Sequence, residues 1–238
     1  MLPAMLYLNP STNDKGMVKV AVCLSGCGVQ DGSEIHESVL TLLSLQRAGA
    51  TVQCCAPDVE QVHVVNHLTG EIIEGESRNI LQEAARIARG EIVPLADIFA
   101  ADYDAIIFPG GFGAAKNLCD FAVAGADAVA HPQVKSIICN FLDDGKVLGF
   151  ICIAPAIAAS ALRNHHAVIE LTAGNCPDTH AALRDMGVKA IDCEYSQVHV
   201  DTRNKIVSTP AYMLAENIAQ LSVSIDALVA EVMNLCND

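Results

Sequence analysis

Ten cysteines and eight histidines are spread over 238 residues, and one cysteine stands in a setting that would make it react. Cys152 follows Val147-Leu148-Gly149-Phe150-Ile151, an apolar run between turn signals that predicts a strand buried on both faces. Pro155 and then Ala156-Ile157-Ala158-Ala159 predict a helix beginning at once. A cysteine in such a strand-to-helix turn is lifted out of the sheet and faces the unpaired N–H groups of the helix start, which favour thiolate over thiol. Thiolate is the nucleophilic form, so Cys152 is the candidate nucleophile. The other nine cysteines read as small core fillers. Their spacings form no paired C-x-x-C zinc pattern, so free thiols and no structural metal are expected.

Two further segments offer partners for that sulfur. The segment Gly110-Gly111-Phe112-Gly113 follows a short apolar run, Ala105-Ile106-Ile107-Phe108, and its bare backbone can approach a substrate closely. The N–H groups of Gly111 and of Ile153, just behind Cys152, would then form an oxyanion hole, although a tight turn alone would also call for these glycines. Glu34 and Glu37 sit near the start of a helix, where carboxylates commonly compensate the dipole. Glu37 differs in lying between Ile35 and the apolar pair Val39-Leu40, which turns it toward the sheet edge as a proton acceptor or donor. No histidine is placed there by the sequence. His63 and His67 fall in a predicted hairpin, His165 and His166 follow the Cys152 helix, His199 precedes a turn, and His36 adjoins Glu37. Gly26-Cys27-Gly28 imitates the opening of a dinucleotide fingerprint, but Asp31 occupies the third glycine position and would repel a pyrophosphate.

The elements that must position these groups alternate between strand and helix. Strands are expected at 18–24, 51–56, 105–108, 147–151 and 168–172, with hairpins over 61–74 and over 198–201 with 205–208. Helices are expected at about 33–48, 77–88, 132–144, 178–186 and 213–235, several with glycine just past the end. Segment 60–95 reads as an insertion between core strands. This alternation predicts an α/β three-layer sandwich around a mostly parallel sheet. Loops 25–34 and 109–117 and the Cys152 turn then emerge on one edge, where open sheets collect their ligands. Residues 1–16 read as an extension or leader outside the fold, and 17–238 as one domain.

Composition removes several functions. A formal charge of −14 opposes binding to nucleic acid or to an anionic membrane surface. Apolar residues make up 52% of the chain, yet no uninterrupted run approaches the roughly 18 residues of a membrane span. Ten cysteines without a secretory or transit pattern point to a reducing compartment, and the expectation is a cytoplasmic protein.

Longer motifs carry a resemblance. Ser25-Gly26-Cys27-Gly28 through Asp31-Gly32-Ser33-Glu34-Ile35-His36-Glu37, Asn66-His67-Leu68-Thr69-Gly70-Glu71, Pro109 to Asn117, Cys152-Ile153-Ala154-Pro155 and Thr209-Pro210-Ala211-Tyr212-Met213 together resemble the ElbB family. That family belongs to the PfpI-like class I glutamine amidotransferase superfamily and is associated with isoprenoid biosynthesis. The resemblance covers residues 17 to about 235. It implies a flavodoxin-like sandwich, a homodimer, an elbow cysteine at Cys152 and a carboxylate at Glu37. It also implies cofactor-independent glyoxalase chemistry on small dicarbonyls, glyoxal to glycolate. Where many superfamily members have a histidine, this chain has Thr172-Ala173-Gly174-Asn175, so a Cys-His-Glu amidotransferase triad is not expected. The alternative is a non-enzymatic redox sensor in which Cys152 is oxidised to sulfinate.

Overall fold

The computed structural model describes residues 17–238, so the expected leader at 1–16 lies outside the described residues. The chain runs β1 (Lys19–Cys23), α1 (Ile35–Arg47), β2 (Thr51–Ala56), β3 (Val65–Asn66), β4 (Glu71–Ile72), α2 (Ile80–Ile87), β5 (Ile92–Pro94) and β6 (Ala105–Phe108). It continues through α3 (Ala114–Asn117), α4 (Phe121–Ala124), α5 (Pro132–Asp143), β7 (Val147–Ile151), α6 (Pro155–Leu162), β8 (Glu170–Leu171) and α7 (Pro177–Asp185). It closes with β9 (Lys189–Ala190), β10 (His199–Asp201), β11 (Ile206–Thr209) and α8 (Ile218–Asn237).

Seven strands form the central sheet in the order β10-β11-β7-β6-β1-β2-β5, parallel except for β10. The apolar runs of β6 and β7 are buried along their whole length, as strands covered on both faces require. Side chains alternate between the two faces. Ala21, Cys23, Ile106, Phe108, Leu148 and Phe150 pack with α5 and α6. Val20, Val22, Ile107, Val147 and Ile151 pack with α8 and Leu45 of α1. The result is the three-layer, flavodoxin-like α/β sandwich expected from the sequence.

Three expectations change. Segment 60–95 is not wholly an insertion, because Ile92–Pro94 pairs with Cys54–Ala56 as the sheet's edge strand. The run at 168–172 stays out of the main sheet: Glu170–Leu171 pairs only with Lys189–Ala190. The last helix starts at Ile218, where the Asn217 side chain accepts the N–H groups of Ala219 and Gln220. Among the described residues, α8 is long and apolar enough to cross a membrane by length and composition. Its Leu221, Ile225, Leu228, Val229 and Val232 are at most 1% exposed and line one stripe against the sheet, the pattern of a core helix.

The chain lays β2 and β5 on one side of β1 and then crosses to place β6 on the other. The loops after β1 and β6 therefore leave the sheet in opposite directions, opening a crevice at the carboxyl ends of these strands.

Candidate active site

The crevice is closed at its base by three loops held together through their backbones. Phe112 N–H donates to Val29 O at 2.7 Å, and Glu34 N–H donates to Gly110 O at 2.9 Å. Asn117, buried at the end of α3, donates to Ser25 O and Asp31 O, both at 2.8 Å, and accepts Val62 N–H at 3.0 Å. One side chain thus pins the β1 loop, the β6 loop and the segment before β3. Asp31 is 3% exposed and accepts Val65 N–H at 2.7 Å. The protein itself uses the carboxylate that interrupts the dinucleotide fingerprint, which explains its place there.

Cys152 stands where β7 ends, with φ of +62°. A non-glycine residue in this left-handed region costs about 1–3 kcal/mol and persists only where its surroundings fix it. Here Cys152 N–H donates to Thr209 O at 2.9 Å, continuing the β7–β11 ladder one residue past the strand. The next turn leads into α6 with Pro155 at its first position. The bend holds the sulfur at the base of the crevice, with Cys152 only 7% exposed.

Glu37 reaches the same point from the first turn of α1 and is fully buried. Its N–H donates to the Glu34 carboxylate at 2.6 Å, so Glu34 caps the helix and leaves the Glu37 side chain free to point inward. Glu37 Oε2 accepts Gly110 N–H at 2.9 Å, Oε1 lies 3.4 Å from Tyr212 N, and the carboxyl and the Cys152 side chain meet at Gly110. A Cβ on Gly110 would fall 2.6 Å from Cys152 Cβ and 2.8 Å from Glu37 Oε2, so only glycine lets the two groups meet. The backbone amides of Gly111 and Ile153 lie near enough to the sulfur to pull its thiol downward. The four residues singled out in the sequence, Cys152, Glu37, Gly111 and Ile153, therefore converge on one spot.

Their ionisation departs from expectation. Burial, followed by the charge of Glu34, raises the Glu37 carboxyl from 4.5 to about 8. Burial, followed by the charge of Glu37 and its hydrogen bond, pushes the Cys152 thiol well above its ordinary 9.0, against the downward pull of the Gly111 and Ile153 N–H groups. The helix start alone does not give a resting thiolate, because the sulfur is dry and faces a carboxyl. After burial, the Glu34 charge is the main obstacle to ionising Glu37, and the Glu37 charge is the main obstacle to ionising Cys152. Carboxyl and thiol titrate as a coupled pair, and loss of one proton leaves the other between carboxyl and sulfur.

Two partners had no assigned role in the sequence. Thr209 and Tyr212 belong to the segment 209–213, whose motif was visible but whose contact with the elbow depends on β11 lying beside β7. Tyr212 Oη also hydrogen-bonds His36 Nδ1 at 2.8 Å, so the histidine beside Glu37 serves the rim. Among the described residues, the groups acting on the Cys152 thiol are Glu37, Gly111 and Ile153, with no histidine. The stretch 172–175 is occupied otherwise: Thr172 N–H donates to Ser208 Oγ at 2.9 Å and its hydroxyl accepts Gly174 N–H.

A doubly flanked parallel sheet with an elbow cysteine and a helix-borne carboxyl defines a flavodoxin-like α/β protein with an amidotransferase-like site. The fold of Drosophila melanogaster DJ-1beta agrees, at a TM-score of 0.54 and 16% identity over 93% of this chain and 97% of that one. An isoprenoid biosynthesis protein with an amidotransferase-like domain from Ehrlichia chaffeensis superposes at a TM-score of 0.85, with 34% identity over 92% of this chain and 99% of that one. No protein-family model matches the chain. The chain is 46% identical over 226 residues to the human mitochondrial glutamine amidotransferase-like class 1 domain-containing protein 3, covering 91% of this chain and 83% of that protein. It is 43% identical over 234 residues to the rat mitochondrial ES1 protein homolog, covering 94% and 86%. The chain belongs to this glutamine amidotransferase-like class 1 (ES1) family. The mitochondrial designation of these relatives overturns the expectation of a cytoplasmic protein. Cysteine content separates reducing from oxidising surroundings and does not distinguish one reducing compartment from another.

Proposed function

We propose that this protein is a cofactor-independent glyoxalase that converts glyoxal to glycolate, as the ElbB-like motifs imply. The observation that carries the reading is the fully buried Glu37 carboxyl meeting the buried Cys152 side chain at Gly110, with the Gly111 and Ile153 backbone amides close enough to pull the thiol downward. An acid–base group, a nucleophile and two fixed donors in one small dry space match what a dicarbonyl isomerisation requires.

Loss of one proton from the pair gives a monoanion, and the sulfur adds to one aldehyde carbon of glyoxal. The S–C bond forms, and the carbonyl oxygen develops negative charge beside the two N–H groups before it is protonated, giving a hemithioacetal. Glu37 as carboxylate removes the hydrogen on that carbon, and the electron pair moves toward the second carbonyl as an enediol. Return of the proton to the second carbon leaves a thioester of glycolate. The first carbon is oxidised and the second reduced, so no external redox partner is needed. Water then cleaves the thioester and restores the thiol. A cysteine residue only 7% exposed restricts this sequence to small carbonyls.

Glycolate formation from glyoxal is the test, with Cys152→Ala and Glu37→Gln both expected to abolish it. Turnover at the wild-type rate in either variant refutes the reading. A second reading is favoured by the same neutral carboxyl: protonated Glu37 and the two N–H groups would hold the oxygens of a cysteine sulfinate formed by two equivalents of peroxide. Selective gain of two oxygens at Cys152 by mass spectrometry, in a protein without dicarbonyl turnover, identifies the sensor.

A further inference from the structure

A second cluster of chemically capable side chains lies at the other end of the sheet. Asp143 ends α5, His165 and His166 follow α6, and Gly145, just before β7, lies beside them. The length of β7, roughly 16 Å for five residues, separates this place from Cys152. We propose that Asp143, His165 and His166 form a binding site for a divalent first-row transition metal such as Zn²⁺ or Co²⁺.

One ligand atom from each of the three residues lies within 4.8 Å of the other two. His165 Nε2 and Asp143 Oδ1 are already 3.1 Å apart, close to the roughly 3.4 Å between ligands of a tetrahedral zinc bound at 2.0–2.1 Å. The His166 ring lies against the His165 ring with centroids 4.1 Å apart. Bringing its nitrogen into bonding distance of the same ion takes a closure of at most about 1.4 Å, and the His166 side chain is exposed. The His165 side chain is 12% exposed and supplies the fixed ligand.

The hydrogen bonding of His165 shows how the site closes without metal. Ala167 N–H donates to Nδ1 at 3.3 Å, which leaves the ring hydrogen on Nε2, directed at Asp143. An incoming ion takes the position of that hydrogen. The proton passes through solvent to Nδ1, and only the long contact from Ala167 is given up. Imidazole nitrogens with one carboxylate select zinc, cobalt, nickel or copper over magnesium or calcium, which prefer oxygen ligands throughout.

Three protein ligands leave a fourth position open, and it faces a hollow of about 230 Å³ that Arg203 and Lys205 also line. Their positive charge opposes a bare cation. It favours an ion whose fourth ligand is an anion, such as a carboxylate or phosphate oxygen.

Titration of the intact protein with Co²⁺ tests the site, because the visible bands of cobalt distinguish nitrogen and oxygen ligands from thiolate. The expected result is one Co²⁺ per chain without a sulfur-to-cobalt charge-transfer band. Affinity should fall at least tenfold in His165→Ala and in His166→Ala. It should fall several-fold in the conservative Asp143→Asn, each variant shown to be folded by circular dichroism. A charge-transfer band at one equivalent, undiminished affinity in both histidine variants, or no binding at millimolar Co²⁺ overturns the proposal.

Discussion

Replacing Glu37 by glutamine should stabilise the protein at neutral and alkaline pH while removing its proposed activity. The carboxyl is fully buried, and its value in the folded protein is about 8 against an ordinary 4.5. In the unfolded chain Glu37 ionises near 4.5, whereas in the fold it keeps its proton until about pH 8. The native state binds the extra proton, so the contribution of Glu37 to stability is greatest below pH 4.5 and is lost progressively as pH rises toward 8. The gap of about 3.5 units corresponds to roughly 5 kcal/mol at most, and sharing of the proton with Cys152 reduces the share that Glu37 alone would show to about 2–4 kcal/mol. Glutamine keeps an oxygen for the Gly110 N–H and offers an N–H toward the sulfur, but it does not titrate. The difference in unfolding free energy, Glu37→Gln minus wild type, should therefore rise by about 2–4 kcal/mol between pH 4.5 and 8 and level off above it. Urea unfolding of both proteins at several pH values across that span measures the difference and cancels the titration of other groups. Parallel pH profiles, or a wild type that gains on the variant as pH rises, would refute the buried, protonated carboxyl.

Gly110→Ala should destabilise the fold by about 1–3 kcal/mol, since overpacking a filled interior costs that much and the new methyl meets Cys152 Cβ and Ile151 O at 2.6 and 2.8 Å. Thermal unfolding reads the loss, and faster labelling of Cys152 should accompany it as the elbow is pushed aside. In the wild type, alkylation of Cys152 by iodoacetamide should be slow at pH 7 and still rising past pH 9.0, the ordinary value of a thiol, because burial and Glu37 hold it well above that range. Peptide mapping by mass spectrometry separates this site from the nine other thiols; a rate already at its plateau at pH 7 would contradict that shift.

The parts of the fold readable in the sequence are those in which local pattern and tertiary demand agree. Ala105–Phe108 and Val147–Ile151 are short apolar runs between turn signals, and the sheet buries both completely. Ile92–Pro94 was hidden because three residues ending in proline carry almost no pattern, and an edge strand tolerates the proline that a central one would not. Val168 to Thr172 looked like a sheet strand by composition, but β11 already occupies the edge of β7 and β10 covers β11. Glu37 was legible from its apolar neighbours. Thr209 and Tyr212 were not, since their contacts with Cys152 and Glu37 span 57 and 175 positions of sequence and exist only through sheet order.

The ionisation of Cys152 is where sequence reasoning stopped short, and the reason bears on the chemistry. A helix start contributes roughly half a charge over its first turn, enough to lower a half-exposed thiol. At 7% exposure and against a carboxyl, desolvation and the second acid outweigh it. A resting thiolate beside an ionised Glu37 would place two buried negative charges in contact, which the site avoids by keeping at least one proton between them. The carboxyl that holds this proton at rest is also the group that, once ionised, carries the substrate hydrogen from one carbon to the next in the proposed isomerisation. The arrangement thus exchanges a reactive resting sulfur for a built-in proton carrier, and suits only carbonyls electrophilic enough to be attacked by the small fraction of monoanion present at neutral pH. A dialdehyde meets that condition and glutamine's amide does not. The same pair that supports glyoxal as substrate therefore argues against glutamine hydrolysis in a chain of the amidotransferase-like family.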